Sequence, residues 1–320
     1  MKETMEEEKT DRQSNKKTVN DDMCQWAVHG NEIYVATPRV SKKISAGVYQ
    51  IYQSQQWGLY IQQQKAILSD EIIDLPIKEI QEIVADIERF WDPETKLKFK
   101  DYNMTYKRGI IVWGPPGNGK SYMMQIIIRN LIKRDGVIFT LDTVDSVERF
   151  ISFANTFRRV EPDRPLVVIL EDIDNVVEAG QSILSALMNV LDGVNQIDNV
   201  VYLATTNYPN KLEERISNRP SRFDRKYEIG APDPKVREAY IIGKMKPEDK
   251  KRVNIQEWVD KTEGFSVSHI KELIVSVCIL GKNLDDVLSH FDDMKKNRSS
   301  RQSDLGFKKE KSIIVNGMGR

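Results

Sequence analysis

The chain has 320 residues, 40% of them apolar, enough to bury the core of one large or two modest domains, and a globular protein is expected. Its 48 Lys and Arg balance 48 Asp and Glu, so no overall field draws it to nucleic acid or to an acidic membrane, and neither is expected as a partner. Cys24 and Cys278 are too few and too far apart for a disulfide framework or a CxxC metal site, the N-terminus lacks an apolar leader, and no run reaches the ~18 apolar residues of a spanning helix, which together lead to the expectation of a reducing, cytoplasmic setting.

Residues 1–31 are polar and charged and read as a flexible arm, because such a composition cannot repay the entropy of ordering. In 32–73 the runs "IYVAT", "GVYQIYQSQ" and "WGLYIQQQ" are rich in β-formers and separated by Gly, Ser, Lys and Pro, so a small antiparallel meander is expected as a module of its own. "DLPIKEIQEIVADIERFW" places Ile77, Ile80, Ile83, Ile87 and Phe90 at helical spacing after a proline, the pattern of an amphipathic helix leading into a core. Over 74–231 the apolar runs "GIIVWG", "GVIFTLD", "PLVVILED" and "NVVYLATTN", with the shorter "RKYEIG", alternate with helical stretches. Runs of that kind imply a parallel sheet covered on both faces, an α/β fold of three αβα layers. Residues 232–294 read as four helices of a small lid and 295–320 as a flexible tail.

"GPPGNGKS" sits between a buried strand and a helix, and Gly114, Gly119, Lys120 and Ser121 satisfy GxxxxGK[ST], with Gly117 an extra glycine inside it. Such a loop turns backbone amides inward around phosphate oxygens and adds the positive end of a helix dipole. The expected nucleotide-binding set is Gly114, Pro115, Pro116, Gly117, Asn118, Gly119, Lys120, Ser121 and Tyr122, with ATP or ADP as ligand. Lys120 would reach the β and γ oxygens and the Ser121 hydroxyl would ligate Mg2+. "VVILEDID" ends a strand on Glu171 and Asp172 at the carboxyl edge of the sheet, where ligands of open α/β sheets bind, and Asp174 is a third candidate.

Together with "ATTNYPNKLEERISNRPSRFDRKYEIGAPD", these motifs make the chain resemble the AAA family of ring-forming ATPases over about Asp74 to His290. The resemblance implies a phosphate-loop nucleoside triphosphatase core and an ATPase that assembles as a homo-oligomeric ring, a hexamer in the family pattern, and that remodels or moves a protein partner. A nucleic-acid-associated ATPase and a nucleotide-binding scaffold are the other readings. The resemblance makes Asn207 the residue that positions the attacking water, and Arg219 and Arg222 arginine fingers for a neighbouring subunit, a task suited to a planar, always-charged fork. "LEDID" and "LMNVLDGV" are similar to the branch of the family holding the mitochondrial Rieske-protein translocase and to single-domain bacterial and phage members. By position Glu171 would be the acid on the magnesium side and Asp172 the acid that activates water, but the family order is Asp-Glu, and either acid remains a candidate for either task. "GFSVSHIKEL" stands where the family has GFSGADL, so Ser268 and His269 replace Ala-Asp, and His269 reads as a capping or packing residue. Phe150 is the nearest match to an aromatic pore residue, yet "VERFISFANTF" reads better as an amphipathic helix with its phenylalanines in the core.

Overall fold

The computed structural model describes residues 25–29, 33–37, 41–56, 58–64, 72–192, 197–209 and 222–291. Strands β1 (Gln25–His29) and β2 (Ile33–Thr37) form a two-stranded antiparallel sheet with Gln25 opposite Thr37. β1 falls inside the stretch read as a flexible arm. Its five residues, "QWAVH", include two β-formers, Trp26 and Val28, whose signal is diluted when composition is averaged over 31 residues.

A second correction concerns the β-rich module. β3 (Gly47–Ser54) and β4 (Gly58–Gln63) form an antiparallel hairpin, but β3 also pairs in parallel with β6 (Val137–Leu141), setting Tyr49 beside Phe139. The hairpin is therefore the outer margin of the main sheet, and "IYVAT" pairs with β1 instead of continuing a meander. Physical attachment explains the difference. Tyr49 and Ile51 are buried on one face of β3, and the entry to the hairpin is held by a partner far away in sequence. The Ile44 amide donates to Glu161 Oε1 at 2.9 Å and Arg164 donates to the Ile44 carbonyl at 2.9 Å.

The remaining strands are β5 (Lys107–Trp113), β7 (Leu166–Leu170), β8 (Val200–Thr206) and β9 (Arg225–Glu228). The seven-stranded sheet runs β4-β3-β6-β7-β8-β5-β9, and every pairing except β3 with β4 is parallel. Parallel neighbours require crossovers, and these are α3 (Lys120–Lys133), α4 (Val144–Val160), α5 (Ile173–Glu178) and α6 (Gln181–Asp192). Successive residues of β5 bury into opposite cores: Ile110 and Val112 join one cluster and Ile111 the other. That two-sided burial is why the strands read as unbroken apolar runs.

Helix α1 (Lys78–Phe90) follows Pro76 and buries Ile80, Ile83, Ile87 and Phe90, the face its spacing predicts; α2 (Pro93–Asp101) buries none. The lid holds α7 (Pro234–Lys244), α8 (Pro247–Arg252), α9 (Ile255–Lys261) and α10 (Val267–Ile274), a π-helical turn (Val275–Ile279) and helical residues 284–291. The short α8 is additional to the four helices expected. Lid residues Trp258, Ile270 and Leu273 share one apolar cluster with α1, α3 and β5, so the lid packs onto the sheet layer. The expected C-terminal tail lies outside the described residues.

Candidate nucleotide site

β8 lies between β5 and β7, with Thr206 opposite Trp113 and Ala204 opposite Leu170. This register brings three strand ends to one edge: the glycine loop after β5, the acids after β7 and Asn207 after β8. Between them and the lid is a cavity of about 310 Å³ lined by, among others, Gly117, Lys120, Ser121, Glu171, Asp172 and Asn207. The sequence-predicted residues thus meet across three crossovers.

The loop's glycines are required by close approach. A Cβ on Gly114 would lie 2.1 Å from the Ile229 carbonyl oxygen. Gly117 has φ +82°, and a Cβ there would come within 2.9 Å of the Ser266 and Ser268 hydroxyls of the lid. Glycine at these positions lets the Ile229 carbonyl and the lid serines stand where a side chain would be. Lys120 opens α3 and is 9% exposed, its ammonium donating to the carbonyls of Gly114 (2.6 Å) and Pro115 (3.1 Å). Burial pulls the Lys120 ammonium below its ordinary range, and the Asp172 carboxylate opposes that shift.

Asp172 caps α5 in the left-handed region, φ 46° and ψ 56°, a backbone state that aspartate tolerates better than most residues. Its Oδ1 accepts from Asn207 Nδ2 at 3.1 Å. Partial withdrawal from water, then the charges of Asp172 and Asp142, raise the Glu171 carboxyl above its usual range. The donor set fits a hard cation held largely by phosphate. Ser121 offers a hydroxyl and Glu171 and Asp172 carboxylates, all oxygen, and magnesium binds through few protein oxygens plus substrate phosphates. No cluster of three His, Cys, Asp or Glu forms a metal cage among the described residues.

Asn118 is 3% exposed, with Oδ1 lacking a hydrogen-bond partner. Tyr122 acts by anchoring. Its hydroxyl donates to the Ile73 carbonyl at 2.7 Å and accepts from the Leu75 amide at 3.0 Å, fixing the strap before α1 against α3. A second cavity of about 160 Å³ lies there, walled by Ile72, Ile73, Leu75, Tyr122, Tyr240 and Val267.

Of the two expected arginines, the described one stands apart from this cluster. Arg219 lies outside the described residues. Arg222 does not project from the surface: it is 8% exposed, and its Nε donates to Asp192 Oδ2 at 2.8 Å, at the end of α6. Phe150 is fully buried, its ring 5.9 Å from that of Phe139, as the core reading of its helix expects. His269 is a capping residue: Ser266 Oγ accepts from the His269 amide at 3.3 Å and lies 2.6 Å from His269 Nδ1. Sequence reasoning missed the lid's hold on the loop, where the Ser268 amide donates to the Gly117 carbonyl at 3.1 Å. It also missed the contact of Thr206 Oγ1 with Asp174 Oδ1 at 2.5 Å. Only the spacing of Asp174 from the strand-end acids signals it.

Known proteins resemble the segment that carries this site. Residues 110–231 match the family described as ATPase family associated with various cellular activities. Similar proteins include an ATP-dependent zinc metalloprotease FtsH of Staphylococcus haemolyticus, 27% identical over 66% of this chain and 31% of that protein. A Cell division cycle protein 48 homolog of Archaeoglobus fulgidus is 28% identical over 60% of this chain and 27% of its own length. A Proteasome-activating nucleotidase of Saccharolobus solfataricus is 25% identical over 73% and 60% respectively. The chain therefore spans about a third or less of the first two relatives. The matched segment opens inside β5, at Ile110, and closes at Ala231 where the lid begins, so it contains the phosphate loop, both strand-end acids and Asn207. On that match residues 110–231 are a domain of the AAA family of ATPases.

Proposed function

We propose that this chain hydrolyses ATP to ADP and phosphate and uses the resulting lid and domain motion to remodel or move a protein partner. One observation carries the proposal: Lys120, Ser121, Glu171, Asp172 and Asn207, from three strand ends, line a single cavity bordered by the lid. The loop amides and Lys120 bind the β and γ phosphates. The cavity beside Tyr122 takes the base between the strap, α3 and the lid. Ser121 and Glu171 would hold a magnesium ion, which would supply positive charge beside the phosphates. Asn207 holds Asp172 by the hydrogen bond already described, which favours Asp172 as the acid that takes a proton from water. Water oxygen then bonds to the γ phosphorus, and the bond from that phosphorus to the bridging oxygen breaks, its electrons leaving on ADP.

The same reading gives the active form as a homo-oligomeric ring. Arg219 and Arg222 of one subunit supply positive charge to the γ phosphate of the next, Arg222 exchanging the Asp192 carboxylate for phosphate. The relatives' names, ATP-dependent and nucleotidase, accord with the chemistry, and the proteasome-activating relative accords with a protein client. Comparing Asp172→Asn with Glu171→Gln tests the core of the proposal. Asp172→Asn is expected to retain ATP binding and lose most hydrolysis. The reverse phenotype would exchange the two acids' tasks, and full hydrolysis in both variants would overturn the site.

A further inference from the structure

Asp174 is 5% exposed, yet among the described residues its hydrogen bond is to a neutral hydroxyl, Thr206 Oγ1, and no ion pair includes it. A buried carboxylate without a cation is costly, so its place in the fold calls for a reason. Thr206 is fully buried and does not line the nucleotide cavity, whereas Thr205 and Asn207 on either side of it do. Its hydroxyl is used twice. It donates to Asp174 at 2.5 Å and accepts from the Tyr208 amide at 2.9 Å. The residues before and after Asn207 are thereby tied to each other through one oxygen, and that oxygen is tied to Asp174.

Two carboxylates of one turn, Asp172 and Asp174, thus hold two successive residues at the end of β8. Asp172 takes the Asn207 amide at 3.1 Å and Asp174 takes the Thr206 hydroxyl. A single link between Asp172 and Asn207 would leave both side chains free to rotate about it. The second link, buried and beyond the reach of substrate, fixes the separation and relative orientation of the turn and the strand end. We propose that Asp174 and Thr206 form a positioning clasp that sets the Asp172–Asn207 geometry for water attack, acting on the catalytic step and not on nucleotide affinity. The inference rests on the ATPase reading above.

Thr206→Val keeps the shape of the buried side chain and removes both hydrogen bonds, and Thr206→Ser restores the hydroxyl. In the full chain, Thr206→Val is expected to lower kcat by about 10- to 100-fold, the scale on which loss of an outer orienting partner or a ~1 Å misplacement acts. KM for ATP and the affinity for ADP measured by calorimetry should stay within about twofold, since the phosphate loop is untouched. Thr206→Ser should recover most of the rate. Asp174→Ala should show the same kcat-only loss, and the double variant should fall little further than either single one, because both remove one link. Wild-type rates in Thr206→Val, a matching loss of ADP affinity, or no recovery with serine would each overturn the clasp while leaving the ATPase reading intact. An inactive wild-type chain would overturn that reading and the clasp with it.

Discussion

Phe150 separates two accounts of how force could reach a client, and its burial yields a magnitude. On α4 the residues Val147, Phe150, Ala154 and Phe157 fall on one face and are buried. Their common target is Phe139 of β6, whose ring lies 5.9 Å from Phe150, 6.0 Å from Phe153, 5.5 Å from Phe157 and 6.4 Å from Tyr49. Truncating Phe150 to alanine removes a fully buried ring and leaves a cavity that the rigid sheet cannot close, at a cost of about 3–5 kcal/mol. Loss of the tilted ring contact with Phe139 pushes the cost toward the upper part of that range. At roughly 2–4 °C per kcal/mol for a domain of this size, Tm should fall by about 6–20 °C. Phe150→Leu, which nearly conserves volume, should cost less than about 1.5 kcal/mol.

The assay pairs a thermal melt with steady-state hydrolysis at 25 °C, expressed per total and per folded chain. Rate per total chain should drop with the folded fraction in Phe150→Ala, while rate per folded chain stays near wild type because Phe150 does not line the nucleotide cavity. A Phe150→Ala protein that melts within about 2 °C of wild type would refute the reasoning, since no buried ring of this size is lost so cheaply. Such a result, with client remodelling abolished, would make Phe150 a gripping residue.

Lys120→Ala should abolish tight ATP binding, measured by calorimetry, because it removes the loop's side-chain cation. Gly117→Ala should weaken ATP binding and lower the melt: its Cβ would meet the Ser266 and Ser268 hydroxyls within 2.9 Å in a backbone state that alanine resists, straining the contact between loop and lid. Activity per subunit should rise with protein concentration, and mixing Arg222→Ala with Lys120→Ala chains should restore part of the hydrolysis, an intact arginine of one completing an intact loop of the other. Co-assembled mixtures without recovery would count against a finger in trans.

The legible parts of this fold were those written in local pattern. Unbroken apolar runs gave β5 to β8, since both faces of each strand are covered, and the glycine spacing located the loop that the register of β5 and β8 then carries to the acids. The hairpin's attachment was not legible, because β3 finds its parallel partner about ninety residues away and is tethered by Glu161 and Arg164, contacts with no local periodicity. Arg222 shows the same limit at a single residue. Its motif announces a cation to be delivered, while the fold gives it a carboxylate, Asp192, some thirty positions earlier. Nothing in "NRPSRFD" itself encodes that pairing.

A nucleotide can move the lid only to the extent that it binds one lid position better than another. Such a difference in affinity has a physical path here. The Ser268 amide, in the first turn of α10, donates to the Gly117 carbonyl, and Val267 beside it walls both cavities. Any shift of the loop backbone around the phosphates therefore displaces a hydrogen bond whose other end is the lid. On the base side, Tyr122 ties α3 to the strap at Ile73 and Leu75, and a Cβ on Gly243 of α7 would lie 2.6 Å from Ile73, so strap and lid are in direct packing contact. In the proposed nucleotide complex the phosphate and base ends would thus bear on the lid at α10 and at α7. In the proposed ATPase, attachment at two separate helices would let a change at the phosphates rotate the lid about the base.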